Sequence, residues 1–291
     1  MKILDVENLR KSYSRGFIPR RTEVLKGLSF SVPAGLVTGF LGANGAGKTT
    51  TMRCVLGLDY ADSGKIEFFG GPLDAAARKR LGFLPERPYF YEHLSGVEFL
   101  TFYAQLTANW TRADLRARIL NLLRRVDLEF AKDRPLRTYS KGMLQKIGLA
   151  QALIHEPELV ILDEPMSGLD PDGRMALADL IVETAKKGTA AFVSSPVLLG
   201  TENLCQRLSV IKDGHCIFEG PTQKLLEQDA GDSEIVFVEK GERRALNVAA
   251  ANAQSALREL LGRNAEIVEV RPKRATLEDV FVRMALKGRS P

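Results

Sequence analysis

Over the first third of the chain, apolar positions alternate with polar ones or cluster in short runs instead of recurring at helical spacing. Residues 3–10 alternate as an edge strand does, 25–32 repeat the pattern, and Pro33-Ala34-Gly35 turns the chain into an apolar run at 36–41. A run of that length bounded by turn residues predicts a buried strand. Asp62-Ser63-Gly64-Lys65 leads into another short strand at 66–69, closed as a hairpin by Gly70-Gly71-Pro72. A further strand at 81–84 is broken by Pro85 and leaves the carboxylate of Glu86 at its end. From 87 to 150 the period becomes helical. Ser95-Gly96-Val97-Glu98 is a capping box ahead of Phe99, Leu100, Phe102, Tyr103 and Leu106, and Thr111 to Asp114 opens a second stripe through Leu115, Ile119, Leu122, Leu123 and Val126. This block reads as a helical insertion in an α/β domain. Beyond Gly220-Pro221 the pattern changes again. Strands at 233–239 and 266–270 flank a helix at 252–261 ended by Gly262, and a last amphipathic helix at 276–286 carries Leu277, Val280, Phe281 and Met284 on one side.

The chemistry starts where the run at 36–41 stops. Gly42, four free positions and then Gly47-Lys48-Thr49 stand between a strand and a helix. That spacing suits a loop whose backbone N–H groups curl around phosphate oxygens, since side chains would block the approach and glycine supplies positive φ angles. The helix after Gly47 points its positive end at the anion, Lys48 reaches the β- and γ-phosphates, and the Thr49 hydroxyl is offered to Mg²⁺. Nucleotide binding is the premise for the rest. A second apolar run, 159–162, ends in Asp163-Glu164-Pro165. Two carboxylates at the C-terminal edge of a buried strand stand where an open α/β sheet places its ligand: Asp163 as a water-mediated metal holder, Glu164 as general base toward water.

Other candidates are less self-sufficient. Tyr13, just ahead of the phosphate loop, is either a platform for an adenine ring or a surface tyrosine closing a hairpin. Arg15, Arg20 and Arg21 around Pro19 make the segment 14–22 a basic exposed loop, solvated or touching lipid head groups. Ser140 and Gly142 open a helix running through Leu144, Ile147 and Ile154; free N–H groups there form a second anion site, although any capping serine would do the same.

Composition narrows the class. With 45% hydrophobic and 26% charged residues among 291, an ordinary folded protein of one large domain or two is expected. Basic residues outnumber acidic ones by 41 to 36, too small an excess to indicate nucleic acid or an anionic surface. Cys54, Cys205 and Cys216 lack a CxxC spacing, which argues against a disulfide framework or a zinc site and for a reducing cytoplasm. The charged N-terminus does not read as a signal peptide. The uncharged stretch 27–47 holds Pro33, several glycines and polar residues, so no membrane span is expected.

The order GANGAGKTT at 42–50, YSKGM at 139–143, LVILDEP at 159–165 and SGLD at 167–170 resembles the ATP-binding subunit of ABC transporters, most of all the branch serving exporters with separate permease chains. The likeness covers residues 3 to about 224. It implies a P-loop NTPase (RecA-like) α/β core with an antiparallel β subdomain and a helical subdomain, residues 1–224 forming the ATP-binding domain. The tail, 225–291, resembles the C-terminal α+β extension of exporter ATPases, down to TLEDVF at 276–281. The resemblance gives Tyr13 to adenine and Gly42, Asn44, Gly45, Ala46, Gly47, Lys48, Thr49 and Thr50 to the phosphates. Lys48 and Glu164 become catalytic, and Thr49 and Asp163 hold Mg²⁺. Glu86, standing where many members have a glutamine, joins both the catalytic and the metal sets. Ser140, Gly142 and Asp170 would contact a nucleotide held by a second subunit. ATP and Mg²⁺ are thus the implied cofactors. A homodimer or heterodimer of ATP-binding subunits and an integral-membrane permease are the implied partners, on the cytoplasmic face of the membrane, with no nucleic acid expected.

Three departures stand out. Tyr139, Lys141 and Met143 differ from the usual signature stretch, and Glu86 from the usual glutamine; both variants suit the exporter branch. After the strand at 190–193 the family expects a histidine toward the γ-phosphate, and the chain reads Ser194-Ser195-Pro196. Neither His93, His155 nor His215 falls at the end of the right strand, so slow hydrolysis with near-normal ATP binding is expected. Two rival readings are a soluble ABC-type ATPase acting on ribosomes or DNA, and a regulatory ATP sensor. One cassette without sustained heptads favours transport over the first.

Overall fold

The computed structural model describes residues 1–15, 20–107, 110–195, 204–228, 233–239, 241–249, 252–272 and 277. Two compact units divide the chain, Met1–Gly220 and Pro221–Pro291.

In the first unit, β1 (Lys2–Arg15) pairs antiparallel with β2 (Arg20–Pro33) on one side and β4 (Ser63–Phe68) on the other. The expected edge strand is therefore a central one. Its alternation comes from one face being buried, with Leu4, Val6 and Leu9 inside, and a half-buried face carries the same period wherever the strand lies in a sheet. The β1–β2 hairpin also continues to Arg15 opposite Arg20. Most of the basic segment read as a loop is thus strand, with 16–19 outside the described residues. Likewise, β4 is not half of a local hairpin: it pairs with β1, and Gly71 adds a single bridge to Phe68.

The second sheet has six strands in the order β5-β6-β7-β3-β8-β9: β3 (Val37–Leu41), β5 (Leu81–Leu84), β6 (Leu159–Asp163), β7 (Ala190–Ser195), β8 (Arg207–Lys212) and β9 (His215–Pro221). The pairings from β5 through β8 are parallel, and every residue of β3 and β6 is buried. Strands covered on both faces read as continuous apolar runs, which is why these two were the plainest in the sequence. Phe30 of β2 stacks on Phe192 of β7 at 5.3 Å, and both approach Phe40 of β3 within 5.3 Å. These rings join the two sheets beneath the phosphate loop.

Helices α1 (Lys48–Val55), α2 (Ala75–Lys79) and α6 (Pro171–Lys186) accompany the sheets. The helical block consists of α3 (Gly96–Thr107), α4 (Arg112–Arg125) and α5 (Lys141–Leu153). Its predicted starts are explicit. The Ser95 amide donates to Glu98 at 2.8 Å while the Glu98 amide donates to Ser95 Oγ at 3.2 Å, and Thr111 Oγ1 accepts from the Asp114 amide at 3.2 Å.

In the second unit, β10 (Ser233–Glu239) lies between β11 (Glu242–Val248) and β12 (Glu266–Pro272), antiparallel to both. Ile235, Phe237, Leu260 and Ala265 form its small core with α8 (Ala253–Gly262), while α7 (Thr222–Gln228) follows β9. The strand β11 was not foreseen. Its six exposed residues, ERRALN, give it no apolar face to read. The expected helix at 276–286 lies outside the described residues apart from Leu277.

Candidate functional site

Strand β3 delivers the chain into the loop Gly42–Gly47, and α1 leaves it. Gly47 caps α1 with φ 109°, donates no side chain to the helix end, and is followed by no carboxylate in the first turn. Its conformation is one that side-chain-bearing residues rarely adopt, and a Cβ there would come within 2.8 Å of Leu25. At Gly42 the limit is space, since a Cβ would lie 2.7 Å from the Ile211 carbonyl oxygen. A helix start left open in this way, with a buried lysine as its first residue, is an anion site. Lys48 is 5% exposed. Its Nζ donates to the Gly42 carbonyl at 2.8 Å and lies 3.8 Å from Glu164 Oε1. Burial pushes the ammonium below its ordinary value, opposed by Glu164 and Asp163. Asn44, Gly45 and Thr49 are exposed around this lysine, Thr50 half-buried, and Ala46 is buried beneath the loop.

Two neighbouring strands supply the carboxylates. Asp163 ends β6 at 7% exposure, in register with Ser194 of β7. Ser194 Oγ donates to Asp163 Oδ1 at 2.5 Å and accepts from the Glu164 amide at 3.0 Å. Glu164 itself stands at φ 47°. Burial raises both carboxyls above the ordinary range, the neighbouring Glu86 charge adds to the effect, and Lys48 counters it. Raising a carboxylate's pKa makes it a stronger base toward water. Glu86, just past β5, is partly exposed with Arg87 Nε at 3.6 Å. Among the described residues no three ligating side chains gather into a metal cage. Such a donor set still fits Mg²⁺, which keeps several waters and takes one or two carboxylates plus phosphate oxygens.

Tyr13, near the end of β1, is half-buried against α1. Its hydroxyl donates to Asp59 Oδ2 at 2.7 Å, and Lys11 Nζ lies 5.0 Å from the ring centre. Arg53 Nε holds the same carboxylate oxygen at 2.7 Å. With Arg53 first and Tyr13 second as hydrogen-bond donors, Asp59 falls to about 2.

The remaining candidates form a separate group. Ser140 caps α5, accepting from the Met143 amide at 3.3 Å, and Asp170 caps α6, accepting from the Gly173 amide at 3.0 Å. Both are exposed, and a Cβ on Gly142 would have only Leu169 and Ser140 near it, each at 3.9 Å. The structure therefore gathers Lys48, Glu86, Asp163 and Glu164 in one place, sets Tyr13 beside α1, and turns Ser140, Gly142 and Asp170 outward. Sequence reasoning passed over Ser194 and Asp59 as contributors. A hydroxyl closing the apolar run AAFVSS was a signal for Ser194; Asp59 had none. His155 Nε2 lies 2.8 Å from the Leu81 carbonyl and His93 packs edge-on to Tyr91. Pro196 lies outside the described residues.

Fold and site together define a P-loop ATPase. Residues 25–167 match the sequence profile of the ABC transporter family. An uncharacterised ABC transporter ATP-binding protein of Synechocystis sp. is 36% identical over 300 residues, covering 97% of this chain and 84% of its own. The linearmycin resistance ATP-binding protein LnrL of Bacillus subtilis is 34% identical across 85% of this chain and 78% of its own. A solved structure of an ATP-binding subunit of an ABC transporter superposes with a TM-score of 0.72 at 26% identity, covering 97% of this chain and 99% of that one. The chain belongs to the ATP-binding proteins of ABC transporters and is an ATPase of that family.

Proposed function

We propose that this subunit powers export through a separate membrane permease, by ATP-driven closure of a dimer of ATP-binding subunits. The observation that carries the reading is the split of the site: a buried set gathered around Lys48, and a separate exposed set at the starts of α5 and α6. The resistance role in the name of LnrL favours export. In this reading residues 1–224 are the ATP-binding domain and 225–291 an accessory domain. No described helix is long and apolar enough to cross a membrane; in this reading the pore belongs to the permease, and this chain sits against its cytoplasmic face.

Each residue then has a task. Tyr13 supports the adenine ring, while the amides of Gly42 to Thr50, with Asn44, Gly45, Ala46 and Gly47 forming the turn, surround the phosphates. Lys48 neutralises charge that develops at the β- and γ-phosphoryl oxygens. Thr49, Asp163 and Glu86 would hold Mg²⁺, which when bound would draw electron density from the phosphate oxygens. Glu164 accepts a proton from the attacking water. Ser140, Gly142 and Asp170 of the second subunit close over the same nucleotide, so a lone chain hydrolyses poorly.

The permease docks near the segment following Glu86. Tyr89 is 78% exposed and meets Tyr91 edge-on, and Tyr91 meets Phe102 in the same way. Beside these rings lies a cleft of about 500 Å³ lined by Glu86, Arg87, Tyr89, Phe90 and Gln145 among others. Phe90 instead packs on buried Phe99, so it anchors the segment more than it offers surface.

Phosphate release by the purified complex tests this account. Glu164→Gln is expected to bind MgATP, accumulate as a dimer and lose about 10²–10⁴ in rate. Pro196 supplies no donor where the family places a histidine, and one preorganised donor is worth about 10²–10³ in rate. Pro196→His is therefore expected to turn over faster than the natural chain. Equal rates would remove the slow-hydrolysis element, and an undiminished Glu164→Gln rate would remove the mechanism.

A further inference from the structure

Ser194 is completely buried near the C-terminal end of β7. Its one hydroxyl is used twice. The proton goes to Asp163 Oδ1 at 2.5 Å, and an oxygen lone pair receives the Glu164 amide proton at 3.0 Å. Parallel pairing sets this up: Asp163 and Ser194 are partners in the β6–β7 register, so the side chain starts level with the carboxylate it holds. Just beyond that pair the chain bends, with Glu164 at φ 47°. A residue with a Cβ stays in that region only when its surroundings fix it. The Ser194 hydroxyl is one such fixing contact, and a second is the Ser167 amide donating to the Glu164 carbonyl at 3.0 Å.

We infer that Ser194 is a positioning residue for the ATPase reaction: its hydroxyl orients the Asp163 carboxylate toward the metal and holds the Glu164 backbone so that the carboxylate points at the Lys48 pocket. This rests on the roles proposed above for Asp163 and Glu164. Hydrogen-bonding partners of ligating carboxylates behave this way generally, and their loss weakens metal affinity or activity by about 10–100-fold. Ser194 differs from the missing γ-phosphate donor two positions later, because it acts on the protein's own carboxylates and never touches nucleotide.

The full-length chain tests it through three readouts: ATP binding in EDTA, Mn²⁺ affinity of the ATP-loaded protein by electron paramagnetic resonance, and single-turnover phosphate release. Ser194→Ala and Ser194→Cys, the second preserving side-chain size, are expected to bind metal-free ATP as the natural chain does. Both should weaken Mn²⁺ binding and slow release by about 10–100-fold. Ser194→Thr, which keeps the hydroxyl, should restore both. Unchanged Mn²⁺ affinity and rate in the Ala variant overturn the inference, as does loss of metal-free ATP binding in step with the rest, which would make Ser194 a packing residue. A natural chain that takes up no Mn²⁺ with ATP refutes the underlying assignment of Asp163 and this inference with it.

Discussion

The two halves of the site are built in opposite ways. Lys48, Asp163 and Ser194 are buried, Ser194 is hydrogen-bonded to Asp163, and desolvation pushes Lys48 and Asp163 away from their ordinary pKa values. Ser140, Gly142 and Asp170 are exposed or half-exposed, and the two with side chains satisfy helix ends of their own chain. Desolvation strengthens the interaction of fixed charges with a triphosphate, so the first half is shaped where water is thin. An exposed cap remains available for a surface still to arrive. The contrast teaches that burial marks the groups that act on one another within the chain, while the proposed contribution to a partner is carried by exposed helix starts whose own chain asks nothing more of them than a cap.

The strongest way to break the comparison is to undermine the buried half from below. Phe192→Ala removes a ring that touches Phe30 and Phe40 under the phosphate loop. It is expected to destabilise the fold by about 3–5 kcal/mol in urea denaturation, with ATP binding falling in parallel. Ser140→Ala attacks the exposed half. Loss of a capping oxygen costs roughly 1 kcal/mol of stability, ATP affinity of the chain's own loop should be unchanged, and hydrolysis by the paired subunits should drop. A fall in ATP affinity would contradict the division.

The smallest effect concerns Tyr13. Asp59 titrates at about 2 in the fold against an ordinary 3.8, so its clamp on Tyr13 and Arg53 adds stability that is fully present above about pH 4 and is lost as pH falls toward 2. Asp59→Asn should flatten that limb of a melting-temperature profile slightly and weaken binding of ATP more than that of inorganic triphosphate. An equal effect on both ligands would separate Tyr13 from the base.

Local patterns were legible where one segment carries the whole instruction. The loop after β3, the carboxylates after β6 and the caps at Ser95 and Thr111 each lie within a few residues of the group they serve. The misreadings have the opposite cause. The central place of β1 depends on β4, some fifty residues on, and the short polar β11 exists because β10 offers it a backbone to pair with.

By itself, the sequence determined that a glycine-rich turn must open a helix toward an anion, that two carboxylates must end a buried strand, and that helices replace strands in the middle of the domain. Those follow from backbone freedom and apolar spacing, which are properties of neighbours in the chain. Tertiary structure decided that Ser194 lies against Asp163, that Asp59 holds Tyr13, and that the signature serine faces outward. Each of these depends on which strands and helices pack side by side, and burial, the cause of the altered acidities, arises only from that packing.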